Sequence, residues 1–195
     1  MDLHNNIVDI TEIPPQQDLN HYYWFESYFS DSDCDKILTL GKSKELESST
    51  VFSGNSSVRK SKVGWIPRDS ESAWIFNSIG ECVSKANEGW AIDWEGFRED
   101  LQFSQYDSVG SHYDYHMDIG LDHYHRKISA VVQLSDPSKY KGGQLMIDSG
   151  SNEVRCPQER GSVILFPSFL LHKVSPLKSG ERNSLVAWAS GPNWK

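Results

Sequence analysis

The sequence predicts an α+β protein in which two helices precede a β-sandwich or a double-sheet barrel. Apolar residues recur at helical spacing within the first 90 residues, and short segments of β character follow one another from residue 91 onward. Turn-forming pairs such as Asp136-Pro137 and Gly142-Gly143 separate these segments. No linker, internal repeat or low-complexity tract divides the 195 residues, so one domain with a sizeable core is expected.

The two helices are predicted from capping residues and apolar spacing. Ser30 provides an N-cap, and Asp33 stands three residues later, which favours a helix from Ser30 to Lys44 with Gly41 as a weak point or early stop. A second helix is predicted from Ser70 to Asn87. The apolar residues that repeat at helical spacing in the second segment are Trp74, Ile75, Ile79 and Val83.

Seven segments of β character are predicted in the second half of the chain, each rich in β-branched, aromatic or other apolar residues. They are Ala91–Trp94, Leu101–Tyr106, Lys127–Leu134, Gln144–Asp148, Val163–Phe166, Leu170–Val174 and Ser184–Ala189.

Two polar stretches have less specific predictions. Residues 1–20 are interpreted as an arm or a first edge strand. Residues 50–68 are rich in Ser and Gly and end in a strand-like Lys-Val-Gly-Trp-Ile. Within them, residues 50–62 are interpreted either as a mobile lid over an active site or as an exposed loop.

Composition narrows the classes of function. The formal net charge of −8 is opposite to what binding a phosphate backbone requires, so a nucleic-acid partner is not expected. The three cysteines are far apart and fit a reducing compartment rather than a disulfide framework or a structural zinc site. The N-terminal residues lack the features of a signal peptide and no apolar run is long enough to span a membrane, so a soluble, cytoplasmic protein is expected.

A His-x-Asp pattern occurs twice, as His112-Tyr-Asp114 and as His116-Met-Asp118. Side chains two residues apart in an extended segment point the same way, so either pair presents an imidazole and a carboxylate to one point. Two ligands do not complete a metal site. His172, in the apolar stretch Pro-Ser-Phe-Leu-Leu-His-Lys-Val, is the candidate for the third ligand.

Two His and one carboxylate with open coordination positions form the facial triad of non-haem Fe(II) oxygenases. Arg182 follows His172 across a predicted turn, so it reaches the same pocket if the two flanking segments pair antiparallel. Arg is suited to bidentate binding of a carboxylate. The residues alone leave a polar histidine-containing loop and a surface arginine open as the other interpretation.

Three stretches resemble the 2-oxoglutarate- and Fe(II)-dependent dioxygenases, specifically the prolyl 4-hydroxylase-like and bacterial PKHD-type branch. They are YDSVGSHYDYHMD (106–118), RKISAVVQLSDPSKYKGGQL (126–145) and GSVILFPSFLLHKVSPLKSGER (161–182), in the order in which the family has them. The resemblance implies a double-stranded β-helix, a jelly-roll or cupin-like barrel, over about 91–190. Helices within about 21–90 would support that barrel in a single domain, 1–195.

The resemblance also implies which pair holds the metal. The family places a Gly and then Tyr-x-x-His-x-Asp before the barrel strands, and Gly110 followed by Tyr113 matches this pattern. His116 and Asp118 are therefore the implied ligands together with His172. The pair His112 and Asp114 would line the mouth of the pocket instead.

Further roles are implied by the resemblance alone. Arg182 would bind the distal carboxylate of 2-oxoglutarate, and Tyr106 would hydrogen-bond the same co-substrate. Gln133 occupies a strand position where some relatives offer a hydroxyl group to the co-substrate. Tyr113 and Trp188 would face the substrate or pack in the core.

The implied chemistry is hydroxylation of an unactivated C–H bond with Fe(II), O2 and 2-oxoglutarate, which becomes succinate and CO2, and ascorbate would support activity. A prolyl residue of a peptide or protein is the first expected substrate, and another residue or a small molecule is the alternative. A cupin-like ligand-binding module without enzymatic activity is a second alternative. A zinc hydrolase with the same ligands lacks a convincing general-base Glu near the motif, and a nucleic-acid demethylase conflicts with the acidic charge.

Overall fold

A computed structural model describes residues 20–53, 56–150 and 152–193 of the chain, so the predicted arm at 1–20 lies outside the described residues except for its last residue. The helices are α1 (Asp31–Lys42) and α2 (Ala73–Trp90). The strands are β1 (Tyr23–Phe25), β2 (Glu47–Ser53), β3 (Ser56–Ile66), β4 (Gly96–Phe97), β5 (Leu101–Tyr106), β6 (His112–His116), β7 (Arg126–Gln133), β8 (Lys141–Gly142), β9 (Leu145–Asp148), β10 (Glu153–Arg155), β11 (Val163–Pro167), β12 (His172–Val174), β13 (Leu177–Ser179) and β14 (Arg182–Ser190).

Helix α1 begins where the sequence predicts. The Ser30 side chain accepts a 3.2 Å hydrogen bond from the Asp33 backbone N–H, which satisfies one of the free donors of the first turn. Gly41 does not end the helix. It is buried where α1 crosses β5, and a Cβ at this position would overlap the ring of Phe103. Its lack of a side chain therefore permits close packing of helix on sheet.

Helix α2 begins and ends later than predicted, and the predicted strand Ala91–Trp94 is wrong. Ala91 adopts a left-handed conformation (φ 52°) and its N–H caps the helix at the Asn87 carbonyl. The Asn87 side-chain amide then bonds both backbone groups of Ile92 at 2.9 Å. These bonds replace the ladder that a strand would need. No helix in the described part of the chain is both long and apolar enough to cross a membrane.

The other predicted strands are confirmed with small shifts at their ends. The strand Leu101–Tyr106 is found with its predicted bounds, and the remaining five correspond to β7, β9, β11, β12 and β14. The interpretation of residues 50–62 as an exposed loop is wrong for 50–53 and 56–62, which belong to the antiparallel strands β2 and β3. Strands β1, β6 and β10 are too short or too polar to be predicted from alternation.

Antiparallel pairing organises the strands into one large curled sheet, a half-barrel consistent with a jelly-roll. The neighbours run in the order β1-β11-β7-β14-β5-β3-β6-β12-β9-β10, with β2 beside β3 and β4 beside β14. Strands β8 and β13 form a separate pair.

The central strands β5, β7 and β14 separate two different interiors. On β14, Leu185, Ala187 and Ala189 face the apolar core that includes Ile75, Ile79 and Val83 of α2. The alternate residues of β14 face a cavity on the other side of the sheet because strand side chains alternate between faces. They are Arg182, Ser184, Val186 and Trp188. Burial on both faces explains why β14 is buried along nearly its whole length.

Candidate active site

The side chains of His116, Asp118 and His172 meet inside the curled sheet. Strand β12 pairs with β6 so that His172 lies opposite His116, and their ring centroids are 4.1 Å apart. Asp118 follows the end of β6, where its backbone N–H donates a 3.0 Å hydrogen bond to the Ser168 carbonyl. The candidate ligand atoms of the three side chains all lie within 4.8 Å of one another.

Both imidazole rings are oriented by backbone carbonyls. Nδ1 of His116 lies 2.8 Å from the Asp114 oxygen, and Nδ1 of His172 lies 3.0 Å from the Leu170 oxygen. Because a carbonyl oxygen only accepts, each Nδ1 carries a proton, which leaves Nε2 as the nitrogen directed towards Asp118. The two Nε2 atoms lie 3.8 Å and 3.5 Å from the Asp118 carboxylate oxygens.

Electrostatics keep the cluster in a form that can bind a cation. Burial, reinforced by the neighbouring His172, lowers the pKa of His116 to about 4, so this ring is neutral near pH 7. Burial alone would raise the pKa of Asp118, but His172, His116 and the Ser129 hydroxyl together hold it below its usual value. The site therefore presents a neutral His116 imidazole and an ionised Asp118 carboxylate next to the His172 ring.

The second predicted pair is arranged differently. His112 and Asp114 share strand β6, with Nε2 of His112 3.8 Å from Oδ2 of Asp114. Among the residues described by the structure, no third His, Cys, Asp or Glu joins them in a cluster of ligand atoms. Asp114 is also exposed, whereas Asp118 is 9% exposed.

Arg182 lies beside the cluster with its charge buried. Arg182 is only 1% exposed. Its Nη2 donates a hydrogen bond to Oε1 of Gln133 at 2.9 Å, and its Nη1 donates to the Ser184 hydroxyl at 3.4 Å. Its Nε finds no acceptor among the described residues, and no described carboxylate forms an ion pair with the guanidinium. A buried cation without an anion is costly, so this pocket is suited to an anionic ligand.

The remaining predicted residues surround these groups. Tyr106 is the register partner of Arg182, whose guanidinium carbon lies 5.3 Å from the ring centroid. Tyr113 stacks on His116 with centroids 3.5 Å apart. Trp188 carries the Arg126 guanidinium over its ring at 3.7 Å. Gln133 does not line the cavity, and its amide N–H donates instead to the Pro157 carbonyl at 2.9 Å.

Apart from Gln133, these groups line a cavity of about 360 Å³ that opens to solvent. Sequence reasoning missed one residue that supports the cluster and two that line the cavity. Ser129, a hydroxyl within the apolar run of β7, donates a 2.6 Å hydrogen bond to Oδ2 of Asp118. Arg59 and Arg126 both line the cavity. Their local sequence does not distinguish them from arginines at the protein surface. A polar residue within a buried apolar strand was the only sequence feature that could have indicated a role for Ser129 in the site.

Comparison with known proteins agrees with this geometry. Residues 101–190 match the sequence profile of the 2OG-Fe(II) oxygenase superfamily. A PKHD-type hydroxylase of Crocosphaera subtropica is 34% identical over 91 residues, which cover 45% of this chain and 41% of that protein. A PKHD-type hydroxylase of Alteromonas mediterranea is 36% identical over 93 residues, covering 44% of this chain and 41% of that protein. The match thus spans about two fifths of the length of these relatives.

Solved structures show the same fold over more of the chain. A Pseudomonas putida prolyl-4-hydroxylase superposes with a TM-score of 0.69 at 22% identity, covering 89% of this chain and 94% of that chain. A Trichoplax adhaerens prolyl hydroxylase, solved with a hypoxia inducible factor peptide fragment, has a TM-score of 0.68 at 19% identity, covering 88% and 84%.

Proposed function

We propose that this protein, whose residues 101–190 match the sequence profile of the 2OG-Fe(II) oxygenase superfamily, is an Fe(II)- and 2-oxoglutarate-dependent dioxygenase. It hydroxylates an unactivated C–H bond with O2 and converts 2-oxoglutarate to succinate and CO2. One observation carries this proposal: a cluster of two imidazoles and a carboxylate lies in the same cavity as a buried arginine that has no described carboxylate partner.

The donor set of His116, Asp118 and His172 fits Fe(II). Imidazole and carboxylate ligands on one face leave coordination positions for a co-substrate and O2. Iron bound here supplies the redox chemistry that oxidises the C–H bond. The chain contributes two imidazoles oriented by backbone carbonyls and a carboxylate fixed by Ser129, so that little rearrangement is needed when the ion binds.

Arg182 binds the distal carboxylate of 2-oxoglutarate. Its guanidinium is buried on the cavity wall, where a charge-assisted hydrogen bond is strong. Gln133 holds Nη2 from behind and so acts as a positioning residue. Tyr106, the neighbour of Arg182 on β5, contacts the same co-substrate.

Tyr113 and Trp188 form the part of the wall that faces the substrate. Tyr113 stacks on His116 and has the Arg59 guanidinium 4.5 Å from its ring centroid, Trp188 lies under Arg126, and both rings line the cavity. A prolyl residue in a peptide or protein is the proposed substrate. Its support is the PKHD-type relatives and the prolyl hydroxylases of similar fold, one of them solved with a peptide. Ascorbate supports turnover by keeping the iron reduced.

The chain is proposed to be one domain in which α1 and α2 form a supporting layer on the jelly-roll. The α2 residues that share the core with β7, β11 and β14 support this role. We place the protein in the cytoplasm because Cys34, Cys82 and Cys156 are all free thiols, which fits a reducing compartment.

Turnover of 2-oxoglutarate tests the proposal. The purified chain is incubated with Fe(II), ascorbate and 2-oxoglutarate, and succinate is followed while proline-containing peptides are added. We expect slow succinate formation alone and faster formation with an accepted peptide, whose mass rises by one oxygen. Binding of 2-oxoglutarate without succinate would instead indicate a ligand-binding module. Turnover that no prolyl peptide accelerates would reject the prolyl substrate and leave the oxygenase.

A further inference from the structure

A second cluster of metal-ligating side chains lies on the wall of the same cavity. Glu99 precedes β5, while His123 and His125 stand in the turn that leads from Asp118 into β7. One ligand atom from each of the three lies within 4.8 Å of the others. Glu99 and His123 line the cavity, and none of the three belongs to the cluster around Asp118.

The carboxylate of Glu99 is the centre of this cluster. Nε2 of His125 lies 3.0 Å from its Oε1, Nε of Arg126 donates to the same oxygen at 2.7 Å, and Nη2 of Arg126 donates to Oε2. Burial alone would raise the pKa of Glu99, but these partners lower it, so the group is ionised. A carboxylate has about four acceptor positions, so capacity for a further partner remains.

Backbone contacts fix the turn that carries His123 and His125. The Arg126 N–H donates to the His123 carbonyl at 3.1 Å, which closes the turn. The Gly191 N–H donates to the His125 carbonyl at 3.0 Å and ties the turn to the end of β14. The His123 side chain is exposed, so an ion has a direct path from solvent.

We propose that Glu99, His123 and His125 form a second metal site, which takes a divalent ion of the zinc type. Two imidazoles and one carboxylate are a ligand set that Zn²⁺ accepts, with a fourth position left to water. The pair between Arg126 and Glu99 accounts for the burial of the carboxylate, but it does not account for two imidazoles placed against it. Arg126 then serves as the outer partner that orients the coordinating carboxylate.

The second site adjoins the candidate iron site. Nη1 of Arg126 donates to the Asp118 carbonyl at 3.2 Å, and the same guanidinium covers Trp188. An ion at Glu99 would thus share the cavity with the substrate. Metal binding at this second site is independent of the proposed oxygenase activity.

Zinc binding measured by titration calorimetry tests the second site. The wild-type chain is compared with His123→Ala, which removes an exposed ligand, and with His21→Ala, which removes an exposed imidazole outside both clusters. We expect His123→Ala to bind one zinc ion fewer per chain, with His21→Ala matching the wild type. Equal stoichiometry in all three proteins would overturn the second site.

A variant that lacks the ligands His116 and Asp118 shows which site holds each zinc ion. His116→Ala combined with Asp118→Ala should retain one zinc ion, and adding His125→Ala should remove it. Absence of zinc binding in the double variant, with its circular dichroism unchanged, would reject the second site. Wild-type stoichiometry in the double variant would instead count against the iron ligands, so the two failures are distinguishable.

Discussion

The hydroxyl of Ser129 donates a 2.6 Å hydrogen bond to Oδ2 of Asp118, and it also lies 3.0 Å from the Ser168 hydroxyl. The carboxylate is thereby held at a fixed angle to both imidazoles. Asp118 is nearly inaccessible to water, so Ser129 is the principal neutral donor that compensates for its burial.

Ser129→Ala should weaken Fe(II) binding while leaving the fold intact. Loss of an outer partner of a ligand typically costs about tenfold to a hundredfold in metal affinity. Fe(II) affinity measured anaerobically checks this expectation. Ser190→Ala is the matched control: it removes a buried hydroxyl on β14 that donates to the Trp188 carbonyl at 3.4 Å, and this variant should bind Fe(II) normally. Equal affinity in both variants would remove Ser129 from this role.

Arg182→Ala should raise the KM for 2-oxoglutarate strongly. Loss of a buried charge-assisted pair costs about 2–5 kcal/mol, which corresponds to a rise in KM of at least about thirtyfold. Succinate formation at increasing 2-oxoglutarate concentrations measures the change. Arg160→Ala removes an arginine that pairs with Asp31 and Asp35 at the surface, and its KM should match the wild type. An unchanged KM in Arg182→Ala would place the co-substrate elsewhere.

Gln133→Glu should impair 2-oxoglutarate binding more than Gln133→Ala does. The new carboxylate would stand where Oε1 now accepts from Nη2 of Arg182 at 2.9 Å, and so would neutralise the charge that the co-substrate needs. Gln133→Ala only frees the guanidinium to move. The KM for 2-oxoglutarate is measured in both variants. A lower KM in Gln133→Glu than in Gln133→Ala would contradict the positioning role.

The metal-free protein should lose stability as the pH falls from 6.5 towards 4. Burial and then His172 lower the pKa of His116 from 6.5 to about 4, so the unfolded chain binds a proton in this range that the folded chain resists. Denaturant unfolding at several pH values measures the effect. His116→Gln should flatten the pH dependence, whereas His21→Ala should keep it. A wild-type slope in His116→Gln would assign the effect to another group.

The sequence predicts elements whose local pattern and tertiary environment agree. Leu101–Tyr106 alternates between apolar residues facing the core and residues facing the cavity, and its predicted bounds are those of β5. Ala91–Trp94 has the same β character, yet the Asn87 side chain bonds the backbone of Ile92 and prevents a ladder. A side-chain cap that acts five residues away is not visible in local composition.

The candidate site likewise contains some features that local sequence predicts and others that it does not. Spacing within His116-Met-Asp118 predicts a shared direction, because period-two geometry is local. The meeting of Glu99 with His123 and His125, or of Ser129 with Asp118, depends on which strands become neighbours in the sheet. That register is set by the packing of the whole half-barrel, so no short-range pattern reveals it.

Anaerobic titration of 2-oxoglutarate into the Fe(II)-loaded protein tests most directly whether His116, Asp118 and His172 hold iron beside Arg182. Chelation of Fe(II) by a 2-oxo acid gives a visible charge-transfer absorption. We predict a saturable band in the wild type and in Asp114→Ala, and none in Asp118→Ala. A band of wild-type strength in Asp118→Ala, or no band in the wild type, would contradict the assigned iron site.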